Sequence, residues 1–299
     1  MISRLKRVIR RFLMFRARES SYKFIMKDWT GLKDLRAVSQ VLETKRFSQN
    51  LEPVIMPKPK AQSALIIAPH PDDDVFSSGG TILKLIQDGC RVKVIYLTSG
   101  GEKTYKDGKG GALTDSAAKT EEESNEASKA LGTDIEFWRY PTRGIDINKE
   151  SIDRLRKAYR ELRPDVVFAP FIADDHDDHR RAIQLFYESF KDSKELDFEV
   201  WAYQVYSTVL TNVVVDITEV IDEKIRLVGL WKTRAKSRDW PHYIRGLNAL
   251  NSRFLKTSEA RYAESFFVVP AKEYIELCGR YFTNPAGDLY YCESYKKGY

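Results

Sequence analysis

A histidine and three aspartates stand together directly after an apolar run, in the segment His70-Pro71-Asp72-Asp73-Asp74. The preceding residues 64–69, Ala-Leu-Ile-Ile-Ala-Pro, predict a buried strand that ends at the proline. In an open α/β sheet, ligands bind beyond the carboxyl ends of the strands, so this loop is a candidate site. Pro71 holds His70 in an extended conformation, which sends neighbouring side chains in different directions. One carboxylate can then bind a metal ion while the next faces the reacting water.

A second cluster, Asp174-Asp175-His176-Asp177-Asp178-His179, follows another apolar run at residues 166–170. His176 and His179 stand at positions i and i+3 of a predicted helix start, so both rings lie on one face. The chain has 4 histidines, and all except His242 lie in these two clusters, which together predict one mononuclear metal site. Histidine and aspartate form a borderline nitrogen and oxygen ligand set, which suits Zn²⁺ and accepts Fe²⁺ or Mn²⁺. We expect a neighbouring aspartate to fix a histidine tautomer.

Strands and helices must alternate along the chain to bring these two clusters to one edge of a sheet. The apolar patterns after residue 61 do alternate in this way, which predicts an α/β fold: a doubly wound, mostly parallel Rossmann-like sheet with helices on both faces. The predicted strands are 64–68, 91–98, 135–140, 165–170, 199–206 and 213–217, and the predicted helices are 77–89, 116–131, 149–163, 176–190, 219–237 and 242–256.

The basic character of the chain belongs to its N-terminal part. Residues 1–60 hold 15 basic and 5 acidic residues, whereas the whole chain has a net charge of +6. Residues 2–15 place aliphatic and Phe side chains at helical spacing between arginines, which predicts an amphipathic, basic helix. Such a helix can lie on an anionic membrane through residues 1–20, pack on the body of the protein with a solvated Arg face, or bind nucleic acid. We expect no nucleic-acid partner. Pro53, Pro57 and Pro59 indicate a linker, so the predicted domains are 1–60 and 61–299.

The motifs around these residues resemble those of the LmbE/PIG-L family of N-acetylglucosaminyl deacetylases. Residues 69–74 and Gly79-Gly80-Thr81 are similar to that family's PHPDDE…GGT signature, and residues 174–179 to its D-x-H-P-D-H. Further similar segments follow in the family's order over residues 61–270: Leu97 to Glu102 for L-T-x-G-E, Lys119 to Gly132 for R-x-x-E…L-G, and Tyr262 to Phe266 for Y-A-E-A-F.

The resemblance implies a role for each matching residue. Metal ligands would be His70, Asp73 and His179, with one Zn²⁺ per chain. Asp72 would be the general base, and His176 would stabilise the oxyanion and act as general acid, with Asp178 tuning it. Three departures from the family pattern stand out: Asp74 replaces Glu, Asp177 replaces Pro, and Lys119 replaces Arg.

The expected activity is zinc-dependent hydrolysis that removes the acetyl group from an N-acetylated amino sugar in a glycoconjugate. Metal-dependent hydrolysis of a non-sugar amide and phosphoester hydrolysis are the alternatives, although two-metal phosphoesterases need more bridging carboxylates and a phosphate-binding basic cluster than the motif region has. A non-catalytic relic is disfavoured by the intact set of ligands and base. Arginines interrupt the N-terminus, no transmembrane run is present, and the odd number of cysteines forms no C-x-x-C pair. We therefore expect a cytoplasmic protein, at the inner face of the membrane if the N-terminal helix binds lipid. The oligomeric state is left open.

Overall fold

The structure is a computed structural model that describes residues 44, 52–100, 104–106, 111–174, 176–194, 196–206, 208–236 and 238–282. The predicted amphipathic helix at residues 2–15 and most of the predicted N-terminal extension lie outside these residues. Within them, no helix is both long and apolar enough to cross a bilayer.

Eight strands form one sheet in the order β1-β7-β8-β6-β5-β2-β3-β4. All neighbouring strands are parallel except β8, which runs antiparallel between β6 and β7. The strands are β1 (Val54–Met56), β2 (Ser63–Ala68), β3 (Arg91–Thr98), β4 (Asp134–Tyr140), β5 (Val166–Pro170), β6 (Glu199–Tyr203), β7 (Val213–Asp216) and β8 (Ala263–Pro270).

Helices cover both faces of this sheet, as the alternating pattern predicted. They are α1 (Asp73–Gln87), α2 (Asp115–Leu131), α3 (Lys149–Leu162), α4 (Asp177–Phe190), α5 (Ile221–Val228), α6 (Lys232–Ala235), α7 (Trp240–Asn251) and α8 (Ala271–Phe282), with 3₁₀ turns at Thr218–Val220 and Ser252–Leu255. Alternate residues of β2 enter two different cores: Leu65 and Ile67 pack with α3, α4 and α8, while Ile66 packs with α1, α2, α5 and α7. This two-sided burial explains why β2 reads as a continuous apolar run.

The chain reverses its direction of travel across the sheet between β2 and β5. From β2 it proceeds through β3 to β4 on one side, and then returns to β5 and β6 on the other side. A crevice opens beyond the carboxyl ends of strands at such a point. Both histidine clusters follow these two strands, so the topology places them at one crevice.

Four details differ from the predicted elements. β8 was not predicted as a strand, and the sequence before it gives no sign that it would insert antiparallel into a parallel sheet. The helix predicted over 219–237 is broken after α5, because Trp231 turns inward and is 1% exposed. α1 begins at Asp73, four residues before the predicted start at 77, so the aspartates form its first turn. Val54–Met56, inside the predicted linker, pairs with β7 as an edge strand of the sheet.

A buried ion pair ties three elements to one another behind the crevice. Lys224 Nζ on α5 lies 2.7 Å from Glu264 Oε1 on β8, and both side chains are almost fully buried. The same carboxylate accepts the backbone N–H groups of Gly80 and Thr81 on α1, at 2.7 and 2.8 Å. An added Cβ on Gly80 would lie 2.7 Å from the Ile217 side chain, so α1 comes close to its neighbours here only because residue 80 is glycine.

Candidate active site

Three buried donor atoms converge at the crevice. His70 Nδ1 lies 3.2 Å from Asp73 Oδ2 and 3.4 Å from His179 Nε2, and Asp73 Oδ2 lies 3.3 Å from His179 Nε2. Two ligands of a tetrahedral ion with bonds of about 2.1 Å lie about 3.4 Å apart, so the three atoms have the spacing of ligands around one cation. The loop after β2 and the first turns of α1 and α4 therefore supply a compact nitrogen and oxygen set.

Contacts behind these atoms fix which ring nitrogen faces the centre. His179 Nδ1 lies 3.3 Å from Asp174 Oδ1, and His70 Nε2 lies 3.1 Å from Asp178 Oδ2. Asp73 Oδ2 also accepts the backbone N–H of His70 at 2.8 Å. Carboxylates in this outer position orient metal-binding imidazoles and set their tautomer. Both rings thus present the other nitrogen, Nδ1 of His70 and Nε2 of His179, to the centre.

The electrostatics of this cluster favour positive charge beside Asp73. Burial lowers the pKa of His70, but Asp73 and Asp178 outweigh it and raise the pKa to about 9. Burial also lowers the pKa of His179, yet Asp73 and Asp174 raise it well above its usual value. Burial raises the pKa of Asp73, but His179 and His70 lower it far below its usual range. A buried carboxylate between two imidazoles is stable here only with a cationic partner.

His176 stands at the edge of this cluster, where it caps α4. His70, His176 and His179 each place one nitrogen within 4.8 Å of the others, so His176 could also reach a shared ion. Its Nδ1 accepts the backbone N–H of Asp178 at 3.1 Å. Burial, and next the positive charges of His70 and His179, lower the pKa of His176 to about 4. The neutral ring then carries its proton on Nε2, which makes that atom a hydrogen-bond donor.

Asp178 contacts both histidines, by different atoms. Its carboxylate meets His70 Nε2 and accepts the backbone N–H of Arg143 at 2.9 and 3.0 Å, whereas its backbone N–H reaches His176. The sequence led us to expect that Asp178 tunes His176. In the structure the backbone N–H of Asp178 donates to His176, and the Asp178 carboxylate contacts His70. Burial lowers the pKa of His176, and the charge of the Asp178 carboxylate acts in the opposite direction, so the expectation stays a prediction.

Asp72 faces the cavity beside this cluster and meets an arginine that the sequence did not indicate. Asp72 Oδ2 lies 2.6 Å from Arg234 Nε, and Arg234 Nη1 donates to the carbonyl oxygen of Gly100 at 3.1 Å. Burial raises the pKa of Asp72 to about 6, against the opposing charge of Arg234. A carboxylate with this pKa can accept a proton near neutral pH.

Arg234 is held in place by α2. Thr233, the preceding residue, donates its backbone N–H to Glu123 at 3.0 Å, and Trp231 Nε1 donates to Ser124 Oγ at 3.2 Å. In the segment that resembles R-x-x-E, Lys119 and Glu122 are exposed, and it is Glu123 that holds the arginine-bearing turn. No local sequence pattern marks Arg234, because its partner Asp72 lies on a distant segment of the chain.

Two further predicted features have clear places. Asp74, which replaces the family's Glu, accepts the hydroxyl of Tyr96 at 3.0 Å, and burial raises its pKa to about 7. Gly100, in the segment that resembles L-T-x-G-E, lines the cavity, although residues 101–103 and 107–110 lie outside the described residues. The cavity has a volume of about 400 Å³ and is lined by His70, Asp72, Gly100, Thr142, His176, Tyr206, Arg234, Arg238 and Trp240.

Comparison with known proteins finds similarity over the part of the chain that carries these residues. Residues 65–190 match the family model PIG-L, described as GlcNAc-PI de-N-acetylase. The chain is 27% identical over 224 residues to diacetylchitobiose deacetylase of Thermococcus kodakarensis. The aligned region covers 70% of this chain and 84% of that protein. It is 31% identical over 132 residues to 4-oxalmesaconate hydratase of Pseudomonas putida, covering 43% of this chain and 51% of the relative.

A solved structure has the same fold. N,N'-diacetylchitobiose deacetylase from Pyrococcus horikoshii, solved with its inhibitor MPG, superposes with a TM-score of 0.60 and 23% identity, covering 85% of this chain and 97% of that one. This likeness confirms the α/β architecture. All six residues predicted for catalysis and metal binding lie inside the span that the family model matches.

Proposed function

We propose that this chain, whose residues 65–190 match the PIG-L family model, is a metal-dependent hydrolase that removes the acetyl group from an N-acetylated amino sugar. One observation carries the proposal. His70, Asp73 and His179 offer three donor atoms at ligand spacing, and Asp72 and His176 line the same cavity. The identity to diacetylchitobiose deacetylase supports an N-acetyl sugar as the substrate class.

The donor set fits a single divalent metal ion, and we propose Zn²⁺ held by His70 Nδ1, Asp73 Oδ2 and His179 Nε2. Three protein ligands, two nitrogens and one oxygen, would match the ligand number of catalytic zinc sites, which keep a further position for water or substrate. Asp73 Oδ1 has no hydrogen-bond partner among the described residues, so the carboxylate has an oxygen to spare. A cation at this centre would need His70 Nδ1 and His179 Nε2 without protons, so its binding would release any proton that these atoms carry.

A bound divalent metal supplies Lewis acidity, which acidifies water at the open position and polarises the acetamide carbonyl. The chain's own groups do the remaining work. Asp72, beside the proposed ligand Asp73, accepts a proton from the water, and the ion pair with Arg234 fixes the position of the Asp72 carboxylate. His176, with its proton on Nε2, donates a hydrogen bond to the developing oxyanion, a contact worth about 3–4 kcal/mol at other hydrolase sites. Asp72 then returns the proton to the leaving amine.

This assignment of the proton differs in one respect from the expectation that the sequence supported. The lowered pKa of His176 makes the imidazole neutral at pH 7, so it serves as a hydrogen-bond donor to the oxyanion. Protonation of the amine then falls to Asp72, because burial raises the pKa of this carboxyl and so favours both the uptake and the release of a proton.

The experiment that tests this function measures acetate release from a panel of N-acetyl sugars by the full chain loaded with Zn²⁺. We expect His179→Ala to lose bound zinc, by elemental analysis, and to lose activity. His242→Ala, which changes the one histidine outside the two clusters, is the matched control and should keep both. We expect Asp72→Asn to keep zinc and to lose activity by roughly 10²–10⁴-fold.

Two results would contradict the proposal. Full zinc content in both His70→Ala and His179→Ala would exclude the ligand set. Activity of Asp72→Asn near that of the unchanged chain, with zinc bound, would exclude Asp72 as the base. Hydration is the competing reaction, because the chain is 31% identical over 132 residues to a hydratase. A chain that binds zinc, adds water to unsaturated acids and releases no acetate would establish that alternative.

A further inference from the structure

A row of aromatic rings runs from the catalytic cavity to the protein surface. The Tyr206 ring stacks on His176, with centroids 5.7 Å apart and an interplanar angle of 27°. Trp240 follows at 6.4 Å from Tyr206, and Tyr243 follows at 6.3 Å from Trp240. Tyr206 is 43% exposed and Tyr243 is 56% exposed, so the row presents rings to solvent on both sides of Trp240. Its inner end lies in the cavity, and its outer end lies beyond it.

The rings are held by contacts to the body of the protein. Trp240 packs against Phe76 of α1, with centroids 5.2 Å apart. Asp239 caps α7 by accepting the backbone N–H of His242 at 3.1 Å, and Pro241 in the first turn stiffens the start of the helix. The Trp240 ring, fixed in this way, loses little conformational entropy when a ligand binds.

We propose that the aromatic row formed by Tyr206, Trp240 and Tyr243 binds the sugar unit that neighbours the acetylated one. The substrate is then an oligosaccharide or a glycoside of a second sugar, and a monosaccharide fills only the inner part of the site. The inference rests on the proposed function, because it takes the cavity at His176 as the place where the acetylated sugar is bound.

The chemistry of the row matches a sugar ring. A pyranose has a face of C–H groups that packs on an aromatic ring and an edge of hydroxyl groups that needs hydrogen-bond partners. Tyr and Trp combine a flat apolar face with a polar tip. The Arg238 guanidinium lies 5.6 Å from the centre of the Trp240 ring, at the lip of the cavity, where its N–H groups can meet hydroxyls. A lipid chain would use the ring faces but not these polar groups.

The test compares kcat/KM for acetate release from three substrates: N-acetylglucosamine, its β-linked disaccharide and its hexyl glycoside. For the unchanged chain we expect the disaccharide value to exceed the monosaccharide value by about tenfold. Tyr243→Ala should lower the ratio of these two values roughly five- to tenfold, as is typical for truncating an aromatic binding residue. Tyr243→Phe should keep the ratio, because it keeps the ring face.

Leu250→Ala is the matched control. Leu250 lies on the same helix and is 61% exposed, but it is no part of the row, so its loss should leave the ratio unchanged. Equal ratios in Tyr243→Ala and the unchanged chain would overturn the proposal. So would a gain with the hexyl glycoside as large as that with the disaccharide, since the row would then be a general apolar surface or a place for lipid.

A binding measurement separates this proposal from the proposed function. Trp240 lies in the row, so we expect the tryptophan fluorescence to change when a glucosamine disaccharide without acetyl groups is added. Trp240→Phe should remove the change, and Tyr243→Ala should raise the Kd about fivefold or more. A chain that releases no acetate but shows this pattern would refute the proposed function and keep the sugar-binding row. A fluorescence that no oligosaccharide changes would overturn the row.

Discussion

Arg234 should set the pH at which the candidate general base loses its proton. Asp72 accepts a proton in the proposed reaction, so activity falls as the pH drops through its pKa. The Arg234 cation, 2.6 Å from Asp72 Oδ2, favours the ionised carboxylate and holds down a pKa that burial has already raised to about 6. Replacing Arg234 by glutamine therefore moves the acidic limb of the pH–rate profile to higher pH.

The size of this shift follows from the contact. Two unit charges about 4 Å apart interact by about 4 kcal/mol at an effective dielectric constant of about 20. One pKa unit corresponds to about 1.4 kcal/mol, so the upper bound on the shift is about 3 units. The Arg234 side chain is 26% exposed, and the water around it weakens the interaction. We expect a shift of roughly 1–2 units after this screening. A bound metal lowers the pKa of Asp72 in both proteins and leaves the difference between them.

The assay is kcat/KM for acetate release from pH 5 to 9, with zinc content measured at each end of the range. Arg234→Gln should lose most activity at pH 6 and recover much of it at pH 9. Arg238→Gln is the control, because this arginine lines the same cavity but is exposed and carries no contact to Asp72 among those described. An acidic limb that stays in place in Arg234→Gln, or that moves equally in Arg238→Gln, would refute the reasoning.

Three further predictions concern Gly100, the buried ion pair and the N-terminal segment. Gly100→Ala should lower stability by about 1–2 kcal/mol, because φ at this residue is +69°. Its Cβ would also clash with Arg234 Nη2, so the acidic limb of the pH–rate profile should move to higher pH. An acidic limb that does not move would show that Gly100 has no effect on the arginine. Glu264→Gln should lower the free energy of unfolding in urea by about 3–5 kcal/mol, since it leaves the buried Lys224 ammonium without its partner charge. Adding Lys224→Met should restore much of this loss. A double variant whose loss equals the sum of the two single losses would contradict this. Deleting residues 1–20 should abolish sedimentation with anionic vesicles at low salt and leave hydrolysis of a small substrate unchanged. A full chain that does not bind vesicles, together with a truncated chain that melts at a lower temperature, would instead favour a helix packed on the protein.

Much of the fold could be predicted because its signals are local. Each parallel strand buried on both faces appears as an apolar run, and each helix as a pattern with a period of 3.6 residues. The ends of β2 and β5 were therefore visible, together with the His and Asp residues that follow them. Since the carboxyl ends of parallel strands meet at one edge, these residues alone indicated that His70, Asp73 and His179 lie together.

Other features depend on pairing between distant parts of the chain. β8 carries an apolar run of ordinary composition, and only the neighbours β6 and β7 decide that it runs antiparallel. Strand β1 lies within a proline-rich segment that resembles a linker, and its pairing with β7 makes it part of the sheet. The residues next to a strand in the sequence do not show which distant strand it pairs with, because the pairing is decided when the elements pack together.

The same division runs through the candidate site. The sequence by itself placed His70, Asp72 and Asp73 at one strand end and His176 and His179 after another, and the proposed roles of ligand and base came from the resemblance to a family. Only the tertiary structure decided the arginine beside the base and the aromatic row. Arg234 and Trp240 lie on separate helices far along the chain from the cluster, and both reach the cavity only because α6 and α7 pack where the chain returns to the edge of the sheet. Ligand sets that follow strand ends are local and can be predicted from sequence, whereas the walls of a cavity come from several elements and exist only once those elements have packed.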